Sequence, residues 1–133
     1  MSHRIGVFLV CAVAVLGQSL AHGQRETERY IPIGQSPGAS GKMTRIGTVD
    51  AVDARARSFV LVTPEGRYSV PVTAQTRIWL DRYRQKQTAL TGSFADLRAG
   101  RRVEVRYDDP GRVKHIYWIK IEVPDGAPAT PGR

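Results

Sequence analysis

The chain has 133 residues, with 20 Lys and Arg against 12 Asp and Glu, a formal net charge of +8. This length predicts one small domain, and the basic balance favours an anionic partner. The single cysteine, Cys11, excludes a disulfide framework within the chain and a cysteine metal cluster.

The first 23 residues read as a signal peptide. His3 and Arg4 form a positive start, and the apolar run Ile5–Leu16 is short for a membrane span. Ala21 and Gly23 place small side chains before a cut at Gln24. We therefore expect export to the periplasm or secretion, with an uncleaved anchor as the alternative. Cys11 would leave with the leader, and its neighbours do not fit a lipoprotein signal.

Two further segments lack periodicity and are rich in glycine, proline and serine. Residues 24–42 predict a flexible tether, with "RYIPIG" at 29–34 as a candidate clip that docks elsewhere. Residues 124–133 predict a disordered tail. The domain is therefore expected at residues 43–123.

The first half of this domain predicts β-strands. Ile46–Val52 is β-branched, with Gly47 as a candidate bulge. Ser58–Thr63 is followed by the turn "TPEG" and by an alternating strand, which together predict a hairpin. Pro71 lacks an amide donor, so we expect it on a sheet edge.

The second half predicts further strands around one helical turn. In "TRIWL", Ile78 and Leu80 oppose Trp79; "FADLRAG" predicts a single helical turn closed by Gly100. "RRVEVRY" alternates, with Val103, Val105 and Tyr107 on one face. In the last strand, alternation places Tyr117, Ile119, Ile121 and Val123 on one face and Ile116, Trp118, Lys120 and Glu122 on the other. The expected fold is all-β: a small five- to six-stranded OB-like barrel with one short helical turn.

The motifs "GTVDAVDARARSFVLVTPEG", "FADLRAGRRVEVRYDD" and "WIKIEV" resemble DUF5666, a family of small exported bacterial domains of unknown function. The shared positions are Gly47, Gly66, Leu97, Gly100 and Val103. The resemblance covers most of residues 46–123 and implies an OB-like fold. It transfers no catalytic or binding residues. The chain departs from the family pattern in its basic loop at 82–92 and its aromatic last strand.

Catalytic motifs are missing from the sequence, so we expect no enzyme activity and no cofactor. Asp108 and Asp109 are adjacent carboxylates, but Pro110 and Gly111 after them indicate an ordinary turn. A copper(I) site from Met43, His115 and Trp118 is a weaker reading, because one thioether and one imidazole underfill such a site.

A basic aromatic loop, "TRIWLDRYRQKQT" at 76–88, is the candidate binding site. It combines arginines and a lysine with two aromatic rings, and basic residues continue on the last two strands. The candidate contact residues are Arg77, Trp79, Arg82, Tyr83, Arg84, Lys86, Arg102, Arg106, Lys114 and Trp118.

Three interpretations of this surface remain open. The cations can simply solvate a small barrel, with their stems lying over apolar surface. They can dock an envelope protein or complex, with the protein as an accessory subunit and residues 24–42 wrapping the partner, since arginine and aromatic residues are enriched at protein interfaces. They can bind an anion, an anionic polymer, lipid head groups or single-stranded nucleic acid. Export makes nucleic acid the less favoured ligand.

Overall fold

The computed structural model describes residues 27–109 and 112–126, without the side chains of residues 108–114. The predicted signal peptide, residues 24–26 of the predicted tether, the "DDPG" turn at Pro110–Gly111 and residues 127–133 of the predicted tail lie outside this part. The strands are β1 (Thr44–Asp53), β2 (Ser58–Thr63), β3 (Gly66–Pro71), β4 (Arg77–Asp81), β5 (Leu90–Thr91), β6 (Arg102–Asp109) and β7 (Arg112–Glu122).

All seven strands belong to one mixed sheet, in the order β3-β2-β1-β6-β7-β4-β5. Every pairing is antiparallel except the one between β4 and β7. The expectation of an all-β domain is therefore confirmed. Within the described residues the hydrogen-bonded sheet does not close, because β3 and β5 form its two edges.

The hairpin of β2 and β3 forms as predicted, with Pro64 and Glu65 between the strands. Gly66 follows at φ +153°, a backbone angle that side-chain-bearing residues rarely adopt. Pro71 ends the edge strand β3, where its missing N–H removes no bond from the interior of the sheet.

Gly47 allows two strands to pack closely, whereas the sequence predicted a bulge at this position. The register of β1 on β2 shifts between Val49 and Ala51 instead. A Cβ on Gly47 would lie 2.2 Å from the carbonyl oxygen of Val62. Only glycine lets these two strands approach so closely at this point.

A hydrophobic core fills one face of the strongly curved sheet. The alternation predicted for β6 is confirmed, since Val103, Val105 and Tyr107 are all buried in this core. The strands β1, β2, β3, β4 and β7 supply most of the rest. The full cluster is Val49, Phe59, Leu61, Val70, Val72, Ile78, Leu80, Leu97, Val103, Val105, Tyr107, Ile116, Ile119, Ile121 and Val123.

Simple alternation along β7 is wrong at Tyr117. Arg106 pairs with Trp118 but the next residue, Tyr107, pairs with Ile116, so Tyr117 is an extra residue in the ladder. Ile116 consequently joins the core, while Tyr117 is 45% exposed. The irregularity reverses the inward face for the first half of the strand.

The predicted helical turn is present as a short 3-10 turn, Phe94–Asp96, in which the backbone N–H of Ser93 donates to Asp96 Oδ2 at 2.8 Å. Gly100 follows at φ +89°. A second 3-10 turn, Tyr83–Gln85, lies in the basic loop and was not predicted. No helix in the described ranges has the length and apolar character needed to cross a membrane.

Residues 27–42, which we call the strap, form successive turns that pack over the outer face of the sheet. This differs from the flexible tether expected over 24–42. The candidate clip "RYIPIG" does dock: the N–H groups of Ile33 and Gly34 donate to Asp81 and Glu104 on the sheet. These bonds depend on residues far away in sequence, which composition does not reveal.

Candidate functional site

The two tryptophans of the predicted surface are buried. Trp79 and Trp118 are 6% and 4% exposed, on the face opposite the core, with ring centroids 5.8 Å apart. Lys120 Nζ lies 4.4 Å from the centroid of the Trp118 ring. Because the strap and neighbouring side chains cover these rings, they are not exposed contact residues.

Two predicted cations are neutralised within the chain. Arg84 lies 3.4 Å from a Glu122 carboxylate oxygen and 2.9 Å from Asp125, and Arg102 lies 3.1 Å from the other oxygen of Glu122. These pairs are largely exposed, so each contributes little stability. They nevertheless lower the positive potential that a partner would meet.

Hydrogen bonds within the basic loop fix its shape. Arg82 Nε donates to the carbonyl of Thr88 at 2.6 Å, and Asp81 Oδ1 accepts from the backbone N–H of Tyr83 at 2.8 Å. Lys86 ends the turn at φ +54°. Tyr83, 63% exposed, and Lys86 remain on the surface.

The remaining predicted cations have different environments. Arg77 is exposed at the start of β4. Arg106 is half-buried, and its Nε has no hydrogen-bond partner among the described residues. Lys114 lies in β7, but its side chain is outside the described part.

A groove lies beside the predicted loop and extends to residues that the sequence did not single out. Its volume is about 830 Å³, and it runs between the strap, the β3–β4 connection and the 3-10 turn at Phe94. Its charged and aromatic lining residues are Arg29, Tyr30, Arg57, Arg77, Trp79 and Phe94. None of the described lining residues is acidic.

Aromatic rings hold two of the groove arginines in place. The Arg57 guanidinium lies 4.7 Å from the centroid of Phe94, and the Arg29 guanidinium 4.5 Å from that of Tyr30. Arg29 also donates to the Tyr30 hydroxyl. Stacking orients a guanidinium and leaves N–H donors at its edge for a ligand oxygen.

A smaller groove of about 280 Å³ runs over the basic loop, where Arg82, Tyr83 and Lys86 contribute to its lining. Arg29 and Tyr30 line this groove as well as the larger one. The strap therefore supplies the wall between two basic grooves.

Under the strap lies a buried polar cluster that the sequence analysis missed. Lys120 and Glu104 are both 0% exposed. Burial lowers the pKa of Lys120, and the negative charges of Glu28, Glu104 and Asp81 oppose that shift. The only sequence signal was a lysine among aromatic and aliphatic residues in "IYWIKIEV".

The copper reading, with Met43, His115 and Trp118 as its residues, stays a prediction. Within residues 27–109 and 112–126, no group of three or more His, Asp or Glu side chains is placed to hold a metal ion. His115 packs edge-on against Tyr117, with ring centroids 6.1 Å apart.

Comparison with known proteins identifies no relative. Neither a protein-family model nor a curated protein nor a solved structure matches the chain. The resemblance to DUF5666 stays a prediction, and the argument about function depends on the grooves and the cluster alone.

Proposed function

We propose that this protein is a non-catalytic, exported binding module that docks on an acidic segment of an envelope protein. The segment would occupy the two basic grooves that meet at Arg29 and Tyr30. In this proposal the basic aromatic loop forms one wall of the binding surface. The larger groove beside it adds Arg57, Arg77 and Phe94.

The observation that carries the proposal is a groove with three arginines and no acidic lining residue. Elsewhere on the surface, Arg84, Arg102 and Arg67 pair with carboxylates of the chain itself. The groove arginines instead stack on rings or stand exposed. Arginine and aromatic side chains together are the usual anchors of protein interfaces.

The strand arrangement supports an OB-type barrel as the finer description of the fold. The β1-β2-β3 meander, the placement of β6 beside β1 and the parallel pairing of β7 with β4 suit a partly open Greek-key barrel. In OB folds a strand face and the loops beside it form the ligand groove. Arg57, after β1, and the β3–β4 connection lie at such positions.

The experiment compares two charge reversals of equal size. The mature protein is crosslinked gently in cells and purified, either unchanged or with Arg57→Glu and Arg77→Glu. The matched control carries Arg67→Glu and Arg98→Glu, which are exposed and do not line the grooves. We expect one partner to be recovered with the unchanged and control proteins and lost with the groove variant. Equal recovery of that partner with all three proteins would refute groove docking.

A second candidate, general binding of anions or single-stranded nucleic acid, is favoured by the stacked Arg29–Tyr30 and Arg57–Phe94 pairs. Bases stack on such rings while arginines contact phosphates. This function predicts affinity for heparin or a short oligonucleotide that falls steeply with salt, because bound phosphates release counterions. Affinity that does not change with salt would argue against it.

A further inference from the structure

The strap is attached to a domain whose core is complete without it. None of the fifteen residues of the hydrophobic core comes from residues 27–42. Within the strap only the side chains of Ile33, Ser36 and Ala39 are buried, and its turns use three glycines at positive φ, Gly34, Gly38 and Gly41. It therefore sits on the sheet much as a bound peptide would.

Lys120 of β7 binds the strap at three points. Its Nζ donates to the carbonyl oxygen of Ile31 at 2.8 Å, to Ser36 Oγ at 3.0 Å and to Glu28 Oε1 at 3.2 Å. Ser36 in turn donates to the same Glu28 carboxylate. All the hydrogen bonds described for this ammonium group go to the strap.

Two carboxylates of the sheet bind main-chain and hydroxyl groups further along the strap. Glu104 accepts from the N–H of Gly34 and from Ser40 Oγ, both at 2.6 Å. Asp81 Oδ2 accepts from the N–H of Ile33 at 2.8 Å. Hydrogen bonds to main-chain groups supply affinity in several modes by which proteins bind short linear segments.

The sheet face under the strap would also be stable if the strap were displaced. Glu104 and Lys120 are directly opposite each other in the β6–β7 ladder, so their charges would pair in water if the strap left. Removal of the strap therefore strands neither of these two charges in an apolar environment. This makes the strap displaceable.

We propose that the face formed by Asp81, Glu104 and Lys120 is a peptide-binding site, that the strap is its ligand within the chain, and that a second copy of the chain binds there through the same segment when the first copy's own strap is displaced. The face recognises a carboxylate, two short hydroxyl side chains and exposed main-chain groups around a glycine. Another copy of this protein carries that pattern in full. The site adjoins the basic grooves, since Asp81 lines the smaller groove and the strap supplies Arg29 and Tyr30 to both. The proposal does not depend on the function proposed for those grooves.

The test mixes two full-length mature chains with complementary defects. Gly34→Pro removes the N–H that Glu104 accepts and excludes the φ of +82° found there, so this chain has a defective strap and an intact face. Lys120→Met has a defective face and an intact strap. In the mixture, the intact strap of the Lys120→Met chain can bind only to the intact face of a Gly34→Pro chain.

Native mass spectrometry with one isotope-labelled partner reads the result. We expect a 1:1 heterodimer in the mixture and neither homodimer from the single variants. The unchanged protein stays monomeric, because its own strap has an effective concentration of about 1 mM. Gln35→Ala, at an exposed strap residue, is the control for Gly34→Pro and leaves the chain monomeric when mixed with Lys120→Met.

Two outcomes would overturn the proposal. One is a mixture of folded variants, verified by their amide NMR spectra, that remains monomeric at millimolar concentration. The other is global unfolding of both Gly34→Pro and Lys120→Met, because a segment required for the fold is not a displaceable ligand.

Discussion

Replacement of Lys120 by methionine is the sharpest test of how the strap is held. The change keeps an unbranched side chain, one atom shorter, but removes three hydrogen bonds and the cation that interacts with Glu28 and Glu104. Breaking a buried ion pair on one side costs about 3–5 kcal/mol. Release of the strap avoids this penalty, since both carboxylates then regain water.

Amide hydrogen exchange separates strap release from general destabilisation. The N–H groups of Ile33 and Gly34 report strap docking, and the N–H of Val49, which donates to the Arg101 carbonyl, reports the core. A loss of about 3–5 kcal/mol speeds exchange roughly a hundredfold to a few thousandfold. We expect the strap amides to lose all protection, because docking alone protects them, while Val49 keeps a measurable part.

The control and the contradicting result are both specific. Lys42→Met removes an exposed lysine at the end of the strap, and exchange at all three amides should stay unchanged. If Lys120→Met leaves Ile33 and Gly34 protected, the hydrogen bonds of Lys120 do not hold the strap. If strap and core amides fall to the same residual protection, the strap unfolds together with the core and is not a separate unit.

Three further changes test other parts of the structure. Gly47→Ala places a Cβ against the Val62 carbonyl. It should lower the free energy of unfolding, measured in urea, by about 3 kcal/mol, which is in the upper part of the range for overpacking. An unchanged unfolding midpoint would contradict the close approach of the two strands. Tyr107→Phe removes a buried hydroxyl that has no hydrogen bond to the described residues and should raise stability at neutral pH by about 1 kcal/mol. Burial also raises the pKa of Tyr107 above 10.0, so the unfolded chain loses this proton first, and the stability of the unchanged protein falls as pH rises from 10.0 towards the folded value. The advantage of Tyr107→Phe should therefore grow in alkaline urea titrations, and a constant difference would refute the linkage. Arg84→Ala should change the unfolding free energy by less than about 1 kcal/mol, because its ion pairs are exposed, and a larger loss would show that they are tightly coupled.

Local signals predicted most of the strands. Alternation in "RRVEVRY" and the turn residues of "TPEG" depend on neighbours in sequence, and the structure confirms both elements. The bulge at Tyr117 was not predictable in this way, because it depends on which residue of β6 pairs with which residue of β7.

The candidate site was predicted only in part, because its members are distant in sequence. Charge density drew attention to Arg84 and Arg102, but the partner that both share, Glu122, is 38 and 20 residues away. The groove combines Arg57 and Phe94 from separate turns, which no spacing rule connects. The glycine- and serine-rich strap has no pattern of its own, since its contacts are polar and lie on other strands.

The pairing of Glu28 with Lys120 also constrains the order in which the molecule is completed. These residues are 92 positions apart, and Lys120 lies in the last strand. A ribosome makes Glu28 before Lys120, so Glu28 has no Lys120 to pair with until β7 has been synthesised. The strap can therefore dock fully only after β7 is present. Until then, its residues are accessible to neighbouring molecules.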